Sequence, residues 1–419
     1  MRVQNFSIYS FVILILGMTS CTPKSSNGSD LTADNFAFAE KQYAFSFGEI
    51  KAALAEESGE SIRRRERDNS GPLTSPRTIE PGGKLRLVLS RDWTSGFYPG
   101  ALWLMYEYTG KEEWANQARY YTGLLEREKN NGGTHDMGFK MYCSFGNGLR
   151  LTGDIRYRDV LLQSARTLIT RYKEKVGAIR SWDHSTDKWG CPVIIDNMMN
   201  LELLFWASRE SGDPVFYNIA VNHARTTMRE HFRADYSSYH VVDFDTITGA
   251  VINKHTHQGL AHESAWARGQ AWALYGYTMC YRETKIPEFL EQARHIENYL
   301  FTHRNMPEDL VPYWDFDAPD IPNEPRDASA AAVIASALYE LSGYIPEKSA
   351  DYVAKADKII ESLSSPAYRS PLHETRGFLL KHSTGSKPAN SEVDVPLIYA
   401  DYYFLEAMLR KNALSQRQH

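Results

Sequence analysis

The sequence predicts an all-α protein folded as an (α/α)6 barrel, a closed ring of six helical hairpins. Three observations carry that expectation. After Asp34, apolar residues recur at three- and four-residue spacing almost throughout, and no alternating runs of comparable length interrupt them. A turn phrase recurs, as Tyr108-Thr109-Gly110-Lys111, Leu151-Thr152-Gly153-Asp154, Glu210-Ser211-Gly212-Asp213, Glu283-Thr284-Lys285 and Leu341-Ser342-Gly343-Tyr344. Each copy follows an apolar helix and precedes a more amphipathic one, so each reads as the turn of an αα-hairpin. The separations range from 43 to 72 residues, too irregular for an open solenoid of uniform repeats.

Composition agrees with one large globular unit. Of 419 residues, 42% are hydrophobic and 24% charged, as in ordinary folded domains. Length alone would suggest two or three domains, but one ring absorbs it. The net charge is −5 and no long Lys/Arg run exists, which excludes a nucleic-acid partner. Aromatic residues reach 12%, more than a core needs, and flat rings often line sugar-binding surfaces.

Taken in order, the chain begins with an address. Arg2 precedes an apolar run from Phe6 to Gly17, followed by Met18-Thr19-Ser20-Cys21. A charged start, an apolar stretch of about 12 residues and small residues before the cut describe a secretory signal over residues 1–20. The stretch is too short to span a bilayer, which takes ~20 residues. Small residues before a Cys resemble a bacterial lipobox, with Met18 standing where Leu is usual. Cys21 would then be the lipidated first residue of an exported, periplasm-facing lipoprotein, anchored to the membrane only by that lipid. A plain secretory signal with an incidental Cys is the other reading. Residues 21–34 are polar, as a tether would be, and 35–412 form the barrel. Cys143, Cys191 and Cys280 lie in apolar or aromatic stretches and read as buried thiols.

Five hairpins follow from the five turns, with outer helices such as Trp114–Glu126 and Tyr157–Tyr172, and an apolar helix from about Val395 to Arg410 closes the series. Fifteen or sixteen residues before each turn stand Trp93, Asp136, Asp196, Arg268 and Asp327. Sixteen residues of helix span about 24 Å, so these five mark the starts of the inner helices. In a ring the starts converge on one rim of the central cavity. Asp is a favoured N-cap, and Asp327 in Arg326-Asp327-Ala328-Ser329 reads as one. Trp93 and Arg268 make poor caps, and an Arg at a positive helix end opposes the dipole unless an anion is present. A Trp, two Asp and an Arg on one rim suit an anionic sugar. Ile194-Ile195 beside Asp196 predict desolvation, and Asp136 adds like-charge repulsion; both raise the Asp196 pKa toward what a general acid needs.

At these residues the sequence resembles glycoside hydrolase family 88, the unsaturated glucuronyl hydrolases. The matching stretches are Thr134-His135-Asp136-Met137-Gly138-Phe139, Ile195-Asp196-Asn197-Met198-Met199-Asn200, Trp266-Ala267-Arg268-Gly269-Gln270-Ala271-Trp272 and Tyr399-Ala400-Asp401-Tyr402-Tyr403. The resemblance implies the same barrel and removal of the 4,5-unsaturated uronic acid that a polysaccharide lyase leaves at a non-reducing end. It implies hydration of a vinyl ether, with Asp196 as acid and base and Asp136 as the second carboxylate. Trp93 would stack on the unsaturated ring, and His135, His240, Gln258, Arg268 and Trp272 would contact substrate. No metal or organic cofactor is implied, and His255-x-His257 with His262 lacks a convincing fourth ligand for zinc. Some relatives bind a sulfated neighbouring sugar through a Ser/Ser/Lys loop, whose spacing Ser383, Ser386 and Lys387 follow in part. The alternatives are an unsaturated rhamnogalacturonyl hydrolase with the same chemistry, an inverting glycosidase using the two Asp, and a non-catalytic glycan-binding lipoprotein. The last does not explain two carboxylates in the inner-helix phase.

Overall fold

The recurring turn phrase closes hairpins through one repeated pair of hydrogen bonds. The hydroxyls of Thr109, Thr152, Ser211 and Thr284 each donate to the carbonyl four residues back, at 2.6–2.7 Å. Each also accepts from the amide two residues ahead, at 3.1–3.2 Å. Between these bonds the chain reverses through a left-handed residue: Gly110, Gly153, Gly212 and, without glycine, Lys285 at φ 56°. Asp154 and Asp213 then cap the next helix through the amides of Arg156 and Val215. The fifth turn is built differently. No left-handed residue occurs there, and a short 3-10 segment, Pro346–Lys348, leads into the next helix.

The computed structural model describes residues 31–417. The signal segment, Cys21 and most of the expected tether lie outside them. One boundary moves: α1 spans Leu31–Ala55, so residues 31–34 belong to the folded unit, with Thr32 buried. At the other end the last helix runs past 412, to Arg417.

The inner ring, in order, is α3 (Phe97–Thr109), a π-helix (Gly138–Gly146) running into α5 (Asn147–Thr152), and a 3-10 turn (Ile195–Asn200) running into α7 (Leu201–Ser211). It continues through α9 (Ala267–Thr284), α11 (Ala328–Leu341) and α13 (Ile398–Arg417), and α13 packs back against α3. Outside lie α4 (Glu112–Gly123), α6 (Ile155–Ile169), α8 (Pro214–Glu230), α10 (Pro287–Thr302) and α12 (Ser349–Ser364). The inner helices are buried nearly all round; every residue of α11 except Glu340 is inaccessible. The outer helices bury one face only, as their amphipathic pattern requires.

The sixth outer position is taken by α1. Its Asn35 amide donates to Ser364 Oγ at 2.7 Å, Gln42 reaches the Phe378 carbonyl at 2.9 Å, and Ser46 Oγ meets Tyr98 Oη at 2.8 Å. The N-terminal helix therefore seals the ring between its last and first inner helices. A short helix α2 (Gly59–Arg67) follows it.

Short strands, which the absence of alternation did not predict, decorate the ring. Strands β1 (Leu73–Ile79) and β2 (Leu85–Leu89) pair antiparallel, as do β3 (Tyr172–Lys173) and β4 (Ala178–Ile179). Strands β5 (Pro192–Ile194), β6 (Val241–Phe244) and β7 (Val251–His255) form a three-stranded antiparallel sheet. Two of these units position functional side chains: β2 leads to Trp93, and β5 runs straight into Asp196. Cys191 and Cys280 are buried, Cys143 is half-buried, and all three are free thiols.

Candidate active site

The five inner-helix starts do meet. Trp93, half-buried in the turn before α3, packs against Phe139 and Tyr399 with ring centroids 5.4 and 4.9 Å away. Phe139 in turn packs on Trp272 at 5.2 Å. Asp327 caps α11 by accepting from the Ser329 and Ala330 amides. Its other oxygen receives Arg268 Nη1 at 2.7 Å.

The two candidate carboxylates sit on neighbouring elements locked at short range. Phe139 N donates to Asn200 Oδ1 at 3.0 Å, tying the π-helix after Asp136 to the 3-10 turn that carries Asp196. Gly138 permits the contact, because a Cβ there would lie 2.5 Å from Asn200 Cα. Asp136 accepts from Thr134 Oγ1 at 2.6 Å, and His135 Nε2 lies 3.2 Å from its other oxygen.

Asp196 is buried, and its Oδ2 has no hydrogen-bond partner. Its pKa is pushed up to about 7, first by burial and further by the Asp136 charge; Arg268 and the Trp272 indole pull it partly back. Opposite it, His240 Nδ1 accepts from the amides of His257 and Gln258 at 3.0 and 3.1 Å. The His240 proton must therefore sit on Nε2, which faces Asp196 Oδ2 at 3.6 Å. Burial, with help from His257, holds the His240 pKa well below the usual imidazole range, so this ring is neutral.

Several residues expected to touch substrate are buried or already engaged by neighbouring groups. Trp272 is completely buried and offers no face for stacking; its indole N–H instead bears on Asp196. The Arg268 guanidinium is already held by Asp327, by the Thr384 carbonyl and by the Gly385 carbonyl at 2.6 Å, leaving Nε unpartnered. Gln258 Nε2 donates to the same Gly385 carbonyl at 3.0 Å. His135 is buried and bears on Asp136. Ser383 is buried with an unpartnered hydroxyl, and Ser386 pairs through its backbone with Ser391. Lys387, expected to be free for a sulfate, is ion-paired with the buried carboxylate of Glu324 and lies over Trp314. His255 and His262 lie 4.2 Å apart, with His262 Nδ1 accepting the Thr256 amide.

Two further residues join the site. Trp182 is half-buried, stacks on His184 and approaches His257 at 5.7 Å; it stands in the aromatic run leading to Asp196. Tyr399 is buried with an unpartnered hydroxyl beside Arg268 and Trp93. It is the sixth inner-helix start, and no turn follows α13 from which to count back to it.

Unpartnered buried polar atoms occur elsewhere, as at Tyr43, His223 and Gln292, but they cluster at this end of the ring. Asp196 Oδ2, His240 Nε2, Arg268 Nε, Ser383 Oγ and Tyr399 Oη gather here, whereas buried polar groups ordinarily pair. The opposite end holds a cavity of about 580 Å³ lined by Tyr142, Glu202, Tyr275, Tyr402, Glu406 and Arg410. Its polar groups satisfy one another: Tyr275 donates to Glu406 at 3.1 Å and accepts from Arg410 at 2.8 Å, and Glu202 pairs with Arg282. Volume favours that end, but unmet hydrogen bonds favour the Asp196 end.

The profile of Glycosyl Hydrolase Family 88 matches residues 77–404. The chain belongs to that family. It is 53% identical to the unsaturated glucuronyl hydrolase of Formosa agariphila over 328 residues, 78% of this chain and 82% of the relative. It is 35% identical to the unsaturated chondroitin disaccharide hydrolase of Streptococcus agalactiae over 331 residues, 78% and 82% of the two chains. In three dimensions it is similar to a crystal structure of an unsaturated glucuronyl hydrolase specific for heparin. That match has a TM-score of 0.85 and 45% identity, and covers 93% of this chain and 99% of the other. As a family 88 member the chain is a glycoside hydrolase with the family's (α/α)6 barrel.

Proposed function

We infer that this family 88 enzyme removes the 4,5-unsaturated uronic acid from the non-reducing end of lyase-generated oligosaccharides, with glycosaminoglycan fragments as the substrate class. One observation carries the reading: a buried carboxyl, Asp196, protonated up to about pH 7 and with one oxygen unmet, faces a cluster of other unmet polar atoms. A carboxyl in that state can give a proton and then recover one. Asp196 protonates C4 of the vinyl ether. The carboxylate so formed takes a proton from water as its oxygen bonds to C5. The hemiketal opens to a 5-ketone, and the hemiacetal left at C1 releases the glycan alcohol.

The remaining residues prepare that step. Asp136 holds up the Asp196 pKa by its charge, and His135 and Thr134 fix Asp136. Neutral His240 presents Nε2–H toward Asp196 and the substrate beside it. Trp93, backed by Phe139 and Tyr399, is the half-exposed ring on which a sugar can lie. The names of the similar enzymes, for glucuronyl, chondroitin disaccharide and heparin substrates, support a glycosaminoglycan fragment rather than a rhamnogalacturonan fragment. A sulfate at Lys387 would compete for its charge with the Glu324 carboxylate.

The unsaturated uronide absorbs in the ultraviolet and its hydrated product does not. Absorbance loss with a lyase-generated disaccharide therefore tests the reading. Asp196→Asn is expected to lower turnover by a factor of about 10³ or more while substrate binding is kept. Normal turnover in that variant would overturn the mechanism. The N-terminal sequence supports export with lipidation at Cys21, which would set the enzyme at a membrane surface, downstream of a lyase. Metabolic labelling with a fatty acid, lost on Cys21→Ser, checks this.

A further inference from the structure

Arg77 lies on β1, remote in sequence from both carboxylates, with its side chain only 15% exposed. It grips two acids at once. Nη1 donates to Asp92 at 3.1 and 2.9 Å, while Nε and Nη2 donate to Glu392 at 2.5 and 2.8 Å. Each acid is itself built into a wall of the active site. Asp92 Oδ1 accepts from the amide and hydroxyl of Thr94 at 2.9 and 2.7 Å, shaping the turn that presents Trp93. The Arg77 guanidinium carbon lies 5.9 Å from the Trp93 ring centroid. Glu392 closes a small hairpin: its carbonyl accepts the Gly385 amide at 2.7 Å, and Ser386 and Ser391 exchange backbone bonds. A Cβ on Gly385 would lie 2.7 Å from Glu392 Oε2, so glycine lets the carboxylate fold against the hairpin. The Gly385 carbonyl then receives Arg268 and Gln258, and Gln258 N holds His240 in its tautomer.

A continuous hydrogen-bonded path thus runs from the Trp93 turn, through Arg77, to the 384–386 edge and on to the group facing Asp196. We propose that Arg77 is a positioning residue that sets the width of the sugar slot between Trp93 and the 384–386 edge. This rests on the reading of the site given above. A planar guanidinium can hold two carboxylates in fixed geometry, and a lysine ammonium cannot. Arg77 touches neither Asp196 nor Asp136, so its loss should loosen ground-state binding and leave the proton transfer intact.

The test compares the full chain with Arg77→Gln, Arg77→Lys, Glu392→Gln and the double variant Arg77→Gln/Glu392→Gln, on a lyase-generated unsaturated disaccharide. Each single variant is expected to raise KM about tenfold with kcat within about twofold. The double variant should be no worse than the poorer single one, because both break the same link. The limb of the pH profile set by Asp196 should not move. Arg77→Lys restoring the parent KM would show that charge alone suffices and would overturn the proposal. So would an unchanged KM in an active parent background, or a loss of kcat at constant KM. Should Arg77→Gln fail to fold, Glu392→Gln decides, since it leaves the Arg77–Asp92 pair in place. A parent chain that leaves the absorbance unchanged overturns the reading of the site, and the Arg77 assignment with it.

Discussion

In the proposed mechanism, Asp196 holds one property that both destabilises the fold and enables the reaction. Its carboxyl, with an ordinary pKa near 3.8, titrates at about 7 because burial disfavours the charged form. The acid form is the reactive one, so kcat/KM should fall as pH rises through about 7. Removing the Asp136 charge takes away a repulsion that raises the Asp196 pKa. The residual activity of Asp136→Asn is therefore expected to fall off at lower pH, which a pH–rate profile of that variant measures. The same shift bears on stability. A group whose folded pKa is raised supports the fold below its unfolded pKa, and that support is lost as pH rises through the folded value. The rise from 3.8 to about 7 corresponds to about 4 kcal/mol. Asp196→Asn should therefore unfold at a higher temperature than the parent at pH 8, with the difference shrinking toward pH 4. Calorimetry at the two pH values checks it. The sequence placed Asp196 and Asp136 through their phase relative to the turns. It did not show that Trp272 and Arg268 lie behind the surface, because helical spacing reports a shared face and not its depth.

At the scale of elements, the deciding contact is between the π-helix after Asp136 and the 3-10 turn holding Asp196. Neither is ordinary α-helix, and each departs from it beside a candidate catalytic carboxylate; such irregular turns concentrate at functional sites. The contact runs backbone to backbone through Gly138. Gly138→Ala would drive a Cβ to 2.5 Å from Asn200 Cα and 3.1 Å from the Met199 carbonyl oxygen, where no flexible side chain can yield. Expected effects are a loss of about 1–3 kcal/mol in stability and at least a tenfold fall in kcat/KM, as the two carboxylates are pushed apart. Thermal unfolding and steady-state kinetics on the same preparation check both. Residues 134–139 and 195–200 were legible as motifs, but their conformations were not, since a nine-residue π-helix and a six-residue 3-10 turn are too short for their periods to show in the apolar pattern. Strand β5 was hidden for a similar reason. Pro192, Val193 and Ile194 are all buried, so no alternation marks them.

For the whole molecule, closure is the property that matters. Five hairpins and a lone inner helix would leave one flank of α13 and α3 uncovered, and α1 covers it from the other end of the chain. Phe36, Ala39, Tyr43 and Ile50 of α1 are buried in the common core. A chain starting after Ala55 is expected to unfold at a markedly lower temperature, or to aggregate, relative to one starting at Asp30. Equal thermal stability of the two would show that α1 is dispensable. Turn chemistry, apolar spacing and the phase of five side chains are local, so the sequence by itself determined five hairpins and the inner-helix starts at which Asp136 and Asp196 stand. Contacts between residues hundreds of positions apart are not local. Only the tertiary structure decided that α1 completes the ring, that Tyr399 is the sixth start, that Lys387 is paired with Glu324, and that Arg77 joins Asp92 to Glu392. Each of these is set by which surfaces meet when the ring closes, and burial, unlike spacing, exists only after closure.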